Sequence, residues 1–290
     1  MRIAHLTDLH FYTAPKPSDL MHIKRIMGTV NLFLLGRKKK FSLNVQKAAV
    51  QKLAEQKPDF LIITGDLTSQ ALDAEFRLAR EVLDPLLQTV PAVVIGGNHD
   101  LYVQSEPTTA MRDNFGEWMH ESTPHLYSHE NIAMLHVETC KPDLLSRGYV
   151  NPSHLDSAAE LLQNAREQHD FIFLCTHYPV WNRRGEHYGP QTRAIQNGPM
   201  FAEWIKQQPV DALLHGHEHH GYRIDIQGKH NNIVSLNPGS SGYNHDMQRD
   251  RRAHFNIYTI EDGSLQNIER FRYNEQTFEP EPNGAYATGR

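Results

Sequence analysis

With 290 residues, of which 39% are hydrophobic and 22% charged, the chain is long enough to bury a large core and too mixed to be disordered or fibrous. Its net charge of −5 argues against a protein held on nucleic acid by bulk positive charge, and two cysteines, Cys140 and Cys175, are too few for a disulfide framework. The first residues already form a strand candidate rather than a secretory leader, so a cytoplasmic location is the expectation.

In chain order, the apolar runs 3–7, 60–64, 92–95, 171–175 and 210–214 are rich in Ile, Val, Leu and Phe and read as buried strands. Cys175 falls in one of them and reads as a small buried residue. Each run stops at a polar cluster: Asp8-Leu9-His10, Gly65-Asp66, Gly97-Asn98-His99-Asp100, Thr176-His177, and Gly216-His217-Glu218-His219. Helix candidates at 43–56, 71–87, 113–120, 152–168 and 199–207 alternate with these runs, which predicts α/β architecture. Leu72, Phe76, Ala79, Val82 and Leu86 recur at helical spacing in the second candidate, and Pro85 is expected to kink or shorten its end. After His219 the runs 222–227, 232–236, 253–260 and 265–273 read as strands separated by turns, suggesting a second sheet packed on the first. Residues 1–273 read as one domain, and the Pro- and Glu-rich stretch 274–290 as a loose tail.

An open α/β sheet gathers ligands beyond the carboxyl ends of its strands, so the five clusters can converge although they span most of the chain. Two divalent ions about 3.5–4 Å apart need a bridging ligand, and a carboxylate with two anionic oxygens, here Asp66, suits that position. Imidazole, carboxylate and amide donors together suit Mn, Fe or Zn without choosing among them. Few carboxylates on two dications leave excess positive charge, which acidifies a water between the ions and attracts phosphate.

The ordered series Asp-x-His, Gly-Asp, Gly-Asn-His-Asp, His, Gly-His-x-His resembles the calcineurin-like metallophosphoesterases. The resemblance implies a four-layer αββα sandwich, with two mixed β-sheets flanked by helices. It implies that Asp8, His10, Asp66 and His219 hold one cation, and that Asp66, Asn98, His177 and His217 hold the other. His99 is then the non-ligand histidine near the leaving group, and Asp100 either orients that imidazole or caps the turn. His215 competes with His219, because an extended segment puts His215, His217 and His219 on one face. The Gly of the family pattern precedes His217, which favours His217 and His219. The implied reaction is hydrolysis of a phosphodiester or phosphoanhydride by a hydroxide activated between the ions. A non-catalytic scaffold is the competing class, disfavoured because no expected ligand is missing.

Substrate choice is less legible. Residues 20–54 hold eight Lys and Arg and no acid, a local charge of +8 that leaves −13 on the remainder. Within this stretch, 20–41 reads as a basic amphipathic insertion: Ile23, Ile26, Met27, Val30, Phe33 and Leu34 share a helical stripe, followed by Arg37 to Lys40. It either packs on the body or lies on an anionic membrane surface, with nucleic acid a weaker partner. Membrane contact favours a lipid-linked pyrophosphate of the UDP-diacylglucosamine type and a peripheral location at the inner face of the membrane. Without it a cyclic nucleotide or other small phosphodiester is expected. Trp181, Arg183, Arg184, His187 and Tyr188 are candidate substrate contacts, Arg being suited to bidentate phosphate binding.

Overall fold

The computed structural model describes residues 1–286 apart from 22, 34–36, 104–106, 121, 144 and 247–250. The strands are β1 (Arg2–Leu6), β2 (Phe60–Ile63), β3 (Ala92–Val94), β4 (His125–His129), β5 (Ile132–His136), β6 (Phe171–Cys175), β7 (Ala212–Leu214), β8 (Tyr222–Gln227), β9 (Asn232–Asn237), β10 (His254–Glu261), β11 (Ser264–Tyr273) and β12 (Phe278–Pro280). The α-helices are α1 (Ile23–Phe33), α2 (Leu43–Gln56), α3 (Asp73–Leu87), α4 (Thr109–Phe115), α5 (Leu155–Arg166) and α6 (Gly198–Lys206). The strands form two mixed sheets of six, ordered β12-β11-β10-β1-β2-β3 and β4-β5-β6-β7-β9-β8.

Strand alternation explains the layers. Ile3, Phe60, Ile62 and Val93 of the first sheet face Ile132, Met134, Phe171, Phe173 and Leu214 of the second, forming the core between the sheets. The intervening Ala4, Leu6, Leu61, Ile63 and Val94 face outward onto Val45, Ala49 and Leu53 of α2 and Phe76, Ala79 and Leu83 of α3. On the far side Ala133, Leu135, Ile172, Leu174 and Leu213 pack on Ala158 and Leu162 of α5 and on Phe201 and Ile205 of α6. Each fully buried Leu, Ile or Phe contributes roughly 1.5–3 kcal/mol. A strand covered on both faces therefore reads as an unbroken apolar run, as β2 does. The result is the αββα sandwich.

Several details differ from the sequence expectation. The strands after His219 do not make a separate sheet: β8 and β9 complete the sheet of β4–β7, and β10–β12 complete that of β1–β3. The β4–β5 hairpin is absent from the sequence expectation: β4, His-Leu-Tyr-Ser-His, is an edge strand with no apolar alternation, whereas β5, Ile-Ala-Met-Leu-His, is a short interior strand buried throughout. Helix α4 begins about four residues before the 113–120 candidate because the Thr108 hydroxyl accepts from Met111 N at 3.1 Å and fixes the N-terminus there. Helix α3 runs through Pro85 to Leu87. Nor is 274–290 loose over its described part: β12 pairs with β11, and Glu281 is buried in a two-pronged ion pair with Arg270, at 2.9 and 3.0 Å. A composition rich in Pro and Glu did not prevent ordering, because the sheet edge and a buried guanidinium supplied partners. Cys140 and Cys175 are both buried and unbridged.

Candidate metal centre

Leu6, Ile63 and Val94 pair in one row across β1, β2 and β3, so the turns that follow them leave the first sheet at one edge. Cys175 and Leu214 pair likewise at the ends of β6 and β7. Three of the polar clusters therefore come from one sheet and two from the other, meeting where the two sheet edges adjoin. Close approach of these turns explains the motif glycines: Gly65 has φ +94°, and a Cβ there would stand 2.6 Å from Gly97 N.

Asp8, His10, Asp66, Asn98, His177, His217 and His219 are all brought together. Ligand atoms of Asp8, His10, Asp66 and His219 lie within 4.8 Å of one another, as do those of Asp66, His177 and His217. Asn98 Oδ1 joins the second group, 3.2 Å from His177 Nε2 and 2.9 Å from His217 Nδ1. Asp66 divides its two oxygens: Oδ1 accepts from His99 N at 2.8 Å, and Oδ2 stands 3.5 Å from His10 Nε2 and 3.4 Å from His177 Nε2. One oxygen thus lies between the two groups, as a bridge requires.

Backbone conformation aims these side chains. Asp8, His10, Asp66, His217 and His219 have φ of 52°, 52°, 54°, 69° and 60°. Such values are uncommon without glycine and cost on the order of 1–3 kcal/mol each, a strain typical of functional sites. The left-handed turns at His217 and His219 also break the extended alternation that would put His215, His217 and His219 on one face. His215 is buried at the strand end, with Nε2 3.1 Å from Ser235 Oγ and Nδ1 3.3 Å from Asn237 Nδ2, and belongs to neither ligand group.

Backbone carbonyls fix the ring orientations. His177 Nδ1 lies 2.8 Å from Thr64 O and His10 Nδ1 3.3 Å from Thr68 O, leaving Nε2 of each directed inward. His217 is turned the other way: Nε2 contacts Arg193 O at 3.2 Å and Nδ1 faces Asn98. Asp8 accepts from His217 N and from the Thr7 hydroxyl, at 2.9 Å each through Oδ2, while its Oδ1 lies 3.2 Å from His219 Nε2.

Burial alone would raise the Asp66 carboxyl, but the neighbouring imidazoles of His177, His99 and His10 hold it well below the usual range. Burial alone would lower His177, yet Asp66 holds it up at about 10. Asp66 and His177 thus each favour the charged form of the other. Burial, His177 and Arg193 keep His217 neutral, as a ligand must be. The donor set fits two divalent cations: neighbouring ligand atoms are 2.9 to 3.8 Å apart, close to the roughly 3–3.5 Å spacing that bonds of about 2.0–2.2 Å produce.

His99 lines the cavity over this centre with Nδ1 2.7 Å from Ser69 O, and its ring stacks on Tyr102 at 5.5 Å. Of the two roles expected for Asp100, the turn-capping one is observed. Its carboxylate accepts from Leu67 N, Thr68 N and Gly97 N at 3.0, 2.8 and 3.0 Å, and from the Thr68 hydroxyl. It joins the β2 and β3 turns, and the group at His99 Nδ1 is the Ser69 carbonyl. Arg183 and Tyr188 line the cavity as expected; Trp181 is instead buried in the core, and Arg184 and His187 are not in the lining. Arg193 and Arg251, also in the lining, were missed because no motif marks them.

The family model for calcineurin-like phosphoesterases matches residues 1–221. A probable cyclic nucleotide phosphodiesterase of Pseudoalteromonas sp. is 25% identical over 226 residues, covering 77% of this chain and 73% of that protein. One from Synechococcus sp. is 26% identical over 234 residues, covering 79% and 76%. Among solved structures, a purple acid phosphatase from yellow lupin superposes with TM-score 0.60 at 14% identity, over 96% of this chain and 52% of that one, so this chain spans about half the length of the lupin enzyme. A dimetal phosphatase from Danio rerio superposes with TM-score 0.57 at 9% identity, over 96% of this chain and 98% of that one. With the motif series, the sandwich and the family model in agreement, the chain belongs to the calcineurin-like phosphoesterase family and is a phosphoester hydrolase.

Proposed function

We propose that the chain is a two-metal hydrolase of a small, nucleotide-class phosphodiester or phosphoanhydride. The observation that carries this reading is the position of Asp66 Oδ2 between two ligand groups. Asp8, His10, Asp66 and His219 would hold one cation, and Asp66, Asn98, His177 and His217 the other, with Mn, Fe or Zn suited to the mixed donors. Such ions supply Lewis acidity toward a phosphoryl group and an acidified water. His99, fixed through Nδ1 on Ser69, presents Nε2 to the leaving oxygen and gives it a proton. The cavity of about 470 Å³ is the size of a small-molecule site. The relatives named as probable cyclic nucleotide phosphodiesterases support a phosphodiester.

The test is turnover of bis-p-nitrophenyl phosphate by chelator-treated protein reloaded with Mn, Fe or Zn. Hydrolysis should vanish with the metal and return with at least one of the three. Two bound ions without hydrolysis of any phosphoester would instead favour a scaffold.

A second reading, a lipid-linked pyrophosphate at an anionic membrane, is favoured by the orientation of α1. Its polar side faces the body: Lys24 Nζ donates to Tyr102 O at 2.7 Å, Arg25 to Ala71 O at 3.1 Å, and the Thr29 hydroxyl to Gln70 Oε1 at 3.1 Å. Ile26, Met27 and Val30 are turned outward, 47, 57 and 43% exposed. The other stripe residues, Ile23, Phe33 and Leu34, lie outside the residues whose side chains are described. An apolar stripe facing water, followed by the basic run Arg37–Lys40, has the chemistry of an interfacial helix. In this reading the protein is cytoplasmic and peripheral at the inner face of the membrane. No described helix is long and apolar enough to cross one. The triple variant Ile26→Ser, Met27→Ser, Val30→Ser should co-sediment several-fold less with phosphatidylglycerol vesicles, while bis-p-nitrophenyl phosphate turnover stays within about two-fold, burial of three such side chains being worth several kcal/mol. Equal sedimentation of variant and parent ends the membrane reading.

A further inference from the structure

Three arginines from separate segments are anchored on one short stretch, His217, Glu218 and His220, in and just after the fifth motif. Arg193 Nη2 donates to His217 O at 3.4 Å, Arg183 Nη2 stands 3.8 Å from Glu218 Oε1, and Arg251 Nη2 bonds to His220 Nε2. All three line the cavity that contains Asp66, Asn98 and His99. Each guanidinium has five N–H donors, so one anchor leaves most of them available to the cavity. Arg251 Nε is buried without a hydrogen-bond partner. Glu218 is the carboxylate set among these cations, and its Oε2 is likewise buried and unpartnered.

The charge count does not match a substrate with one phosphoryl. A phosphodiester carries a single negative charge, and that charge belongs over the Asp8 and Asp66 ligand groups. The rest of the lining then holds Arg183, Arg193, Arg251 and Lys40 against one carboxylate, Glu218. Arginine forks pair bidentately with phosphate oxygens, and Arg183 and Arg193, exposed in the cavity lining, and the half-buried Arg251 are open to such an anion.

We propose that Arg183, Arg193 and Arg251 form a subsite for a second phosphoryl group, so that the preferred substrate is a phosphoanhydride diester, a nucleoside diphosphate joined to a further group. The assignment rests on the two-metal reading above and selects within it. Hydrolysis breaks one P–O bond of the anhydride bridge and forms one P–O bond to the water oxygen. The bridge oxygen leaves on the second phosphate, the subsite holds that phosphate, and the protons of water pass to the leaving group and solvent. Two phosphomonoesters result.

The experiment compares kcat/KM for ADP-ribose, for 3′,5′-cyclic AMP and for bis-p-nitrophenyl phosphate in metal-loaded protein. ADP-ribose should exceed cyclic AMP at least ten-fold. Arg183→Ala and Arg251→Ala should each lower the ratio of ADP-ribose to bis-p-nitrophenyl phosphate at least ten-fold, mainly through KM, and Arg183→Lys should recover part of it. The ratio of inhibition constants for AMP and ADP against bis-p-nitrophenyl phosphate should shrink in the same variants, a binding readout that does not require turnover of the anhydride. A parallel arm presents a lipid-linked nucleoside diphosphate in vesicles. Preference for it over ADP-ribose with the same arginine dependence assigns the second phosphate to a lipid source, and the reverse order to a soluble nucleotide. Cyclic AMP matching or exceeding both anhydrides, or ratios unchanged in both alanine variants, overturns the subsite while leaving the two-metal reading intact. Absence of hydrolysis of bis-p-nitrophenyl phosphate and all the nucleotides under every metal overturns both.

Discussion

Asp66→Ala protein is expected to bind fewer than two cations and to lose bis-p-nitrophenyl phosphate turnover by at least about a thousandfold, since Lewis-acid stabilisation by the ions is worth several kcal/mol. The reason is the division of labour within one carboxylate. Oδ2 stands 3.5 and 3.4 Å from imidazole nitrogens of the two groups, so its removal takes a ligand from both. Oδ1 accepts from His99 N at 2.8 Å, so the alanine variant also frees the turn that carries Asn98 and His99. Asp66→Asn separates these effects, because an amide oxygen can keep the bond to His99 N while the bridging charge is lost. Metal analysis by mass spectrometry should give fewer than two ions per chain for both variants. Full occupancy in Asp66→Ala would remove the basis of the proposed site.

His99→Ala has the second largest expected effect and the opposite signature. The ring lines the cavity and is oriented by Ser69 O, and it lies beside His10 at a centroid distance of 4.9 Å without belonging to either ligand group. Its removal should lower kcat by about 10²–10⁴, the usual range for general acid–base catalysis, with metal content unchanged. Leaving-group dependence gives the sharper reading. The loss should be larger for a methyl or nucleoside phosphodiester, whose alkoxide must be protonated on departure, than for p-nitrophenyl esters, whose phenolate leaves unaided. Equal losses on both substrates would mean that His99 does not deliver a proton. Loss of metal in step with activity would make it part of the cation shell.

How much was legible follows from the range of the forces involved. The five main strand runs and α2 could be read directly, since burial on both faces of a strand or on one stripe of a helix leaves a local mark in the chain. Edge strands carry no such mark, and among interior strands the short apolar β5 is the exception to the rule. Strand β4 has a largely polar composition, and β12 lies in a Pro- and Glu-containing tail, yet both are held by hydrogen bonds to a neighbouring strand. The split of the motifs between two sheets was also hidden, because strand order is set by pairing across long sequence separations, as in β1 with β10.

The amino-acid order by itself determined which donor types are present, that they follow buried strands, and that the second, third and fifth clusters carry glycine where turns pack tightly. Those properties depend on residue chemistry and near-neighbour spacing. Only the tertiary structure decided that Asp66 offers a single oxygen to two groups, that His217 presents Nδ1 rather than Nε2, that His215 turns toward Ser235 and Asn237, and that α1 sets Ile26, Met27 and Val30 toward solvent. Each of these is an orientation fixed by contacts with residues distant in sequence, together with left-handed backbone at Asp8, His10, Asp66, His217 and His219 that the packed sandwich must stabilise.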